Sequence, residues 1–300
     1  MMYDVAIVGG GPAGLTAAIY AVRANKKVLV LEATACGGQI INTSKIENYP
    51  AAPDITGLEF GQTLQKQAED LGVEIEFESV EKIINNDISK LVITEDDQYK
   101  ARSVIIACGT EPRRLGLENE DKYTGSGISY CATCDGSFYR NKVVAVNGGG
   151  NSALHEALYL SEIAEKVFLI HRRNELRGSA DLVEKIKKKD NVELILNANI
   201  VGLNGDKKLK SITISHSNKT EELALDGLFV SIGRIPKAKG LIDGLELAEG
   251  DYVKADESCT TNIPGVFVAG DVRSKEIRQL VTATSDGAIA AEAALRYIDA

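Results

Sequence analysis

Apolar positions in this chain fall into short unbroken runs and longer stretches spaced for one face of a helix. Tyr3-Asp4-Val5-Ala6-Ile7-Val8 feeds directly into Gly9, and from about Pro12 to Ala24 the residues Leu15, Ala18, Ile19 and Val22 keep helical spacing. Val28-Leu29-Val30-Leu31 follows as a second run. Strand, glycine loop, helix and strand in that order predict a βαβ unit. Residues 5–22 carry no charge, which raises the question of a membrane span. Gly9, Gly10, Gly11, Pro12 and Gly14 would break a bilayer helix, and Met1, Met2, Tyr3 and Asp4 lack the basic start of a signal peptide. The stretch reads as a buried strand, a phosphate loop and a helix.

The same order returns after Lys142. Val143–Val146 is a strand, Gly148–Gly150 a loop, Ser152–Ala164 a helix and Val167–Ile170 a strand, so the chain carries an internal duplication of a nucleotide-binding unit. Between the two lie a helix over about Leu58–Leu71 and alternating stretches such as Val73-Glu74-Ile75-Glu76-Phe77. Three further runs are Val104–Ala107, Leu228–Gly233 before Pro236, and Val266–Asp271 ahead of a last helix over about Leu280–Tyr297. The segments around Glu111–Arg114 and Pro236–Gly240 read as crossings between domains, which makes the second unit an insertion within the first. The expected architecture is α/β, with two Rossmann-like dinucleotide-binding domains.

Three hundred residues suit about two domains, and the 44% apolar share is ample for packed interiors. A formal net charge of −9 argues against nucleic-acid or anionic-membrane binding and favours a soluble enzyme. With no export signal, the expected compartment is the reducing cytoplasm, where a Cys-x-x-Cys is catalytic or metal-binding rather than a structural disulfide.

Each glycine loop presents backbone N–H groups and a helix N-terminus to a pyrophosphate. Gly9, Gly11, Pro12, Ala13 and Gly14 form the first candidate site; Gly148, Gly150, Asn151, Ser152 and Ala153 form the second. The ends of the following strands set the two apart. Glu32 stands eighteen positions after Gly14, whereas His171 stands eighteen after Ala153 and is followed by Arg172, Arg173 and Arg177. A carboxylate there accepts from a free ribose 2′-hydroxyl, while guanidinium groups suit a 2′-phosphate. The first site is therefore expected to take FAD and the second to prefer NADPH over NADH. The Lys185–Lys189 run reads as a solvated helix face.

Cys131-Ala132-Thr133-Cys134 lies just upstream of the second loop. Its two sulfurs can cycle between dithiol and disulfide, one attacking and the other resolving a mixed disulfide. Half a zinc site is the competing reading, but Cys36, Cys108, Cys259, His155, His171 and His216 offer no second pair at short spacing, so no metal is expected. Asp135 is placed to give or take a proton, or else caps the turn before Gly136. Cys36, in the Ala35–Gln39 loop, and Cys108, at an apolar strand end, read as inert buried thiols. Cys259 has no visible partner, and His155 reads as a helix-face residue.

Taken together, Cys131–Gly136, Gly148–Ala153, His171–Arg173 with Arg177, Gly37-Gly38-Gln39, Glu47–Pro50 and Gly270-Asp271 through Arg278-Gln279 resemble the bacterial low-molecular-weight thioredoxin reductases, class II pyridine nucleotide-disulfide oxidoreductases. The resemblance runs through essentially the whole chain with the motifs in family order. It implies an FAD domain over 1–113 and 239–300, with an NADPH domain carrying the dithiol inserted over 114–238. It also implies that Gly37, Gly38, Gln39, Asn48, Asp271, Arg278 and Gln279 contact FAD, that His171, Arg172, Arg173 and Arg177 serve NADPH, and that Asp135 handles protons. A homodimer reducing thioredoxin or a related redoxin is implied too. Asn147, where an apolar residue is usual, and His155, where acidic residues are frequent, depart from the pattern without touching the phosphate loops.

The implied route runs from NADPH through FAD to Cys131–Cys134, with the inserted domain rotating about hinges near Arg114–Leu117 and Pro236–Gly240. By position, Cys134 beside Asp135 is expected to face the flavin and Cys131 to meet the partner. Competing readings are the same scaffold serving another redoxin or drawing on ferredoxin, and a non-catalytic flavin-binding sensor.

Overall fold

A computed structural model describes residues 2–43, 45–52, 55–86, 88–216 and 219–300. The chain divides into two compact units, Met1–Glu111 with Ile235–Ala300, and Pro112–Arg234.

The first unit begins with β1 (Met2–Val8), α1 (Pro12–Arg23) and β2 (Val28–Leu31), followed by α2 (Gly57–Asp70) and β3 (Glu74–Glu76). Strand β1 runs parallel to β2, with Val5 opposite Val28 and Ile7 opposite Val30. The helix α2 starts in a capping box, Thr56 accepting from the Glu59 N–H while the Glu59 carboxylate accepts from Thr56 N–H. A hairpin, β4 (Val80–Asn85) and β5 (Lys90–Thr94), leads into the long β6 (Gln98–Ile106), which returns parallel to β1. Thr110–Pro112 (β7) then leaves the unit.

The inserted unit holds α3 (Glu120–Tyr123), β8 (Ile128–Ser129), α4 (Ala132–Asp135), β9 (Val143–Asn147), α5 (Asn151–Ser161), β10 (Lys166–His171), α6 (Ala180–Lys187) and β11 (Val192–Leu196). An antiparallel meander follows, β12 (Ala198–Gly205), β13 (Leu209–His216) and β14 (Lys219–Ala224), then β15 (Gly227–Val230). Strands β11-β10-β9-β15-β8 form one parallel sheet. Alternation along these strands splits the core. Val144, Val146, Val167 and Leu169 face α5, α6 and Ala132 of the dithiol turn, while Ala145, Phe168 and Ile170 face the meander. Burial on both faces is why the strands read as unbroken apolar runs.

The chain leaves the insertion through β16 (Arg234–Pro236), which pairs with β7. It then adds β17 (Val266–Val268) parallel to β6, and α7 (Leu280–Asp299), which packs on α1. The completed seven-stranded sheet runs β3-β2-β1-β6-β5-β4, with β17 also on β6. Its core divides in the same way, Val5, Ile7, Val28 and Val30 against α1 and α7, and Ala6, Val8, Leu29 and Leu31 on the opposite face. The helix expected to reach Ala164 ends at Ser161, and the last helix runs on to Asp299. No helix among the described residues is long and apolar enough to cross a membrane.

Candidate functional site

The first glycine loop is closed by its own backbone and by Glu32. Gly9 N–H donates to Leu31 O at 2.8 Å and Gly10 N–H to Glu32 Oε2 at 2.7 Å, while Glu32 Oε1 accepts from Thr34 N–H at 3.0 Å. A Cβ on Gly14 would lie 1.9 Å from Gly9 O, so only glycine lets α1 start this close to the strand end. Pro12 opens α1, where its missing N–H costs nothing, and Ala13 is buried behind it. Gly37 N–H donates to Gly10 O at 2.8 Å, which brings Gly38 beside Gly11; Gln39 lies in the 3₁₀ turn Gly38–Asn42.

The C-terminal stretch reaches the same place. Gly270 abuts Ala13 at the head of α1, with Asp271 next in a 3₁₀ turn. Arg278 Nε donates to Asp271 O at 3.1 Å and its guanidinium lies 3.9 Å from the Tyr252 ring centre. Asn48 Nδ2 donates to Gln279 Oε1 at 3.2 Å. The buried Asp286 underpins the segment. It accepts from Gly270 N–H at 3.0 Å, Arg273 Nε and Nη2 at 3.2 and 3.1 Å, and Lys275 Nζ at 2.8 Å.

The second glycine loop repeats the strand closure, with Gly148 N–H donating to Ile170 O at 3.0 Å. Where the first loop meets a carboxylate, this one meets an imidazole. A Cβ on Gly149 would sit 2.5 Å from the His171 ring, so the ring lies flat against that residue. Arg177 N–H donates to Gly149 O at 2.6 Å and Ser179 N–H to Asn151 Oδ1 at 2.8 Å, folding the basic segment back onto the loop. Arg172, Arg173, Arg177, Asn151 and Ser152 are exposed, Ala153 is buried, and the three guanidinium groups have no salt-bridge partner among the described residues. Burial pushes the His171 imidazole down, and the neighbouring Arg172, Arg173 and Arg177 charges add to the effect.

Both loops have room for a phosphate. A Cβ on Gly150 would meet nothing within 4 Å, and one on Gly11 only Gly38 Cα at 3.9 Å. Neither α1 nor α5 has a side-chain cap on its first N–H groups. His171 Nε2 is buried without a hydrogen-bond partner among the described residues. The open backbone N–H groups at the heads of α1 and α5 suit a dinucleotide pyrophosphate, and the unpaired guanidinium groups suit an added phosphate.

Cys131 and Cys134 are disulfide-bonded across α4, with Cα atoms 5.3 Å apart. Ser129 organises the turn, its hydroxyl accepting from Cys131 N–H at 3.1 Å and donating to Asp135 Oδ2 at 2.7 Å. Burial raises the Asp135 carboxyl above its usual range, and the Ser129 bond opposes that rise. Thr133 Oγ1 lies 3.4 Å from Cys131 Sγ. Cys36, Cys108 and Cys259 are free thiols, each pushed up to about 12 chiefly by burial, and Cys259 Sγ donates to Asp286 O at 3.7 Å. His155 is exposed, and no metal-binding group of His, Cys, Asp and Glu occurs among the described residues. Ser129 and Asp286 escaped the sequence reading, because each acts through a partner that only the fold supplies.

Residues 3–287 match the family model described as pyridine nucleotide-disulphide oxidoreductase. The chain is 43% identical over 300 residues to a thioredoxin reductase of Treponema pallidum, covering 99% of this chain and 97% of the relative. A thioredoxin reductase of Listeria innocua is 40% identical over 302 residues, with 99% and 94% covered. The crystal structure of thioredoxin reductase from Streptococcus pyogenes superposes with a TM-score of 0.93 at 40% identity, over 99% of this chain and 98% of that one.

Proposed function

Because the chain belongs to the pyridine nucleotide-disulphide oxidoreductase family, with thioredoxin reductases as full-length relatives, we propose that it is an NADPH-dependent thioredoxin-disulfide reductase carrying FAD. The observation that carries this reading is the Cys131–Cys134 disulfide in the same unit as the glycine loop backed by Arg172, Arg173 and Arg177. When bound, the flavin supplies the two-electron centre between pyridine nucleotide and disulfide.

The first loop, from Gly9 to Gly14, holds the FAD pyrophosphate, and Glu32 accepts from the ribose while bracing the loop. Gly37, Gly38, Gln39, Asn48, Asp271, Arg278 and Gln279 complete that site. The second loop, Gly148 to Ala153, holds the NADPH pyrophosphate, and the arginines with His171 select the 2′-phosphate. In the reduced couple, the Cys131 thiolate attacks a sulfur of the thioredoxin disulfide, and the other thioredoxin sulfur leaves as a thiolate and takes a proton. Cys134 then attacks Cys131 Sγ in the mixed disulfide, which re-forms Cys131–Cys134 and releases the second thioredoxin thiolate. Two electrons leave the enzyme. Asp135, held by Ser129 and biased towards its protonated form, exchanges protons with the couple.

Rotation of the inserted unit about its two crossings lets the dithiol and the pyridine nucleotide serve one flavin in turn. A homodimer in the cytoplasm is the expected setting.

The test is direct. NADPH should bleach the flavin absorbance of the purified protein, and thioredoxin disulfide should then restore it. Cys131→Ser and Cys134→Ser should keep the bleaching and lose thioredoxin reduction. A preparation that stays colourless after FAD is added back, or either serine variant turning over thioredoxin normally, would overturn the assignment.

A further inference from the structure

One stripe of α5 carries the dithiol turn. Glu156, Tyr159 and Leu160 lie at i, i+3 and i+4, and Ile163 continues the line just past the helix end. A Cβ on Gly136 would lie 2.7 Å from Tyr159, 3.2 Å from Leu160 and 3.3 Å from Ile163, so the far end of the turn rests directly on this stripe. At the near end stands Glu156. Ala132, the fully buried residue next to Cys131, packs in one cluster with Ala153, Ala157 and Leu160 of α5, and its backbone, with the Ser231 hydroxyl, favours the charged form of the Glu156 carboxyl. As the first residue of α4, Ala132 has no intrahelical acceptor for its N–H. Glu156 Oε2 is buried and without a hydrogen-bond partner among the described residues.

We propose that Glu156 is a positioning residue for the Cys131–Cys134 couple, its carboxylate seating the Ala132 N–H at the head of the dithiol turn and its charge setting how readily the reduced couple ionises. This rests on the reading of that pair as the redox-active one.

Burial pushes the Glu156 carboxyl up to about 7 against the opposing pull of Ser231, Arg234 and Ala132. Its charge therefore changes in the range where the enzyme works. On the elements packed against α5, Arg234 is the charge that acts on it directly. Asp135 is turned to Ser129, Tyr139 has its phenol pushed up to about 12, His171 lies against Gly149, Lys166 pairs with Glu193, and the charged residues of α6 are exposed. When the couple is reduced, a thiolate forms on the turn whose head, Ala132, this carboxylate holds, and like charges oppose each other. The carboxylate thus holds the thiol pKa up, and protonating or neutralising it lets the thiol ionise sooner.

The test needs no thioredoxin. The reduced flavin-bound holoenzyme, freed of NADPH, is alkylated with iodoacetamide from about pH 5 to about pH 9, and Cys131 and Cys134 are read by peptide mass. Glu156→Gln keeps an acceptor for Ala132 and removes the charge. It should lower the apparent thiolate pKa, giving at most about twofold faster alkylation near pH 7, a gain that grows to severalfold near pH 8 as the parent carboxyl ionises, and convergence with the parent in acid, where the parent carboxyl is itself protonated. Ser231→Ala removes a bond that favours the charged form, so its profile should lie on the Glu156→Gln side of the parent near neutrality. A Glu156→Gln profile superposing on the parent at every pH overturns the proposal. If that variant does not fold, a Ser231→Ala profile identical to the parent overturns it instead. Failure here would leave thioredoxin turnover by the parent untouched, whereas failure of the proposed function would show as no turnover by the parent.

Discussion

The phenol of Tyr130 donates a 2.7 Å hydrogen bond to the buried carboxylate of Glu120, and thereby joins the residue before Cys131 to the start of the inserted unit. The same carboxylate accepts from Leu115 N–H at 2.8 Å and Gly116 N–H at 2.9 Å. Burial and this bond together push the Tyr130 phenol up to about 12. Leu115 and Gly116 are thus fastened to the body of the unit. Any hinge on that crossing is accordingly expected to turn before Leu115.

Glu120→Ala strands two backbone donors and a phenol at once. The variant should lose about 3 kcal/mol of stability in the inserted unit, and Tyr130→Phe, which removes one donor, about 1 kcal/mol. Denaturant unfolding followed by fluorescence of the flavin-bound protein checks both. Equal stability of Glu120→Ala and the parent would remove the clamp from the account.

Arg172, Arg173 and Arg177 approach the second glycine loop without anionic partners of their own among the described residues. Replacing Arg173 or Arg177 by Ala should raise KM for NADPH roughly tenfold to a hundredfold, in keeping with the loss of one charge-assisted hydrogen bond, and leave kcat and the NADH kinetics nearly unchanged. Parallel turnover assays with the two nucleotides decide it. An equal rise in KM for NADH would mean the arginines serve something other than the 2′-phosphate.

Asp135 is raised in the folded state above its ordinary value of 3.8, with burial the leading cause. A carboxyl of this kind supports the fold while protonated, below its unfolded pKa, and that support is lost as pH rises through the folded value. Asp135→Asn should therefore be more stable than the parent at neutral pH, and the gain should vanish in acid below about pH 4. The same variant should reduce thioredoxin slowly while NADPH still bleaches the flavin. Thermal unfolding across pH, run beside the two half-reactions, separates the effects. A variant that is less stable at neutrality contradicts the sign.

Asp286 neutralises two buried cations and holds Gly270 N–H. Asp286→Ala leaves Arg273 and Lys275 buried without the carboxylate they share, at a cost of about 3–5 kcal/mol, and frees the segment that carries Asp271 and Arg278. The purified variant should retain less flavin per protomer, read from its visible absorbance, and Asp286→Asn should be milder on both counts. Full flavin content in Asp286→Ala would show that the segment keeps its place without this anchor.

Much of the fold was legible because its two βαβ units are buried on both faces, which writes them into the sequence as unbroken apolar runs. Val28–Leu31 was read to the residue, and β9 and β10 to within one residue at either end. The meander from Ala198 to Ala224 was not read. It covers one face of the parallel sheet, so polar and apolar residues mix along it, and β14 is almost wholly solvent-facing. At the site, residues with chemistry of their own stood out: the cysteines, the glycines and the arginine cluster. Ser129, Glu120, Glu156 and Asp286 did not, since a hydroxyl or carboxylate takes its meaning from a neighbour distant in sequence. His155 stands out in the sequence in place of Glu156, one position along the same helix, yet His155 is exposed while the Glu156 Oε2 atom is buried.

The Arg177 N–H to Gly149 O bond fastens the basic segment by its main chain alone, whatever side chains it carries. Under the proposed function, coenzyme choice is thereby separable from architecture: exchanging the guanidinium groups for acidic or neutral side chains should change what the rim attracts while the scaffold beneath keeps its shape, which makes this rim the place to redesign the protein for an unphosphorylated coenzyme.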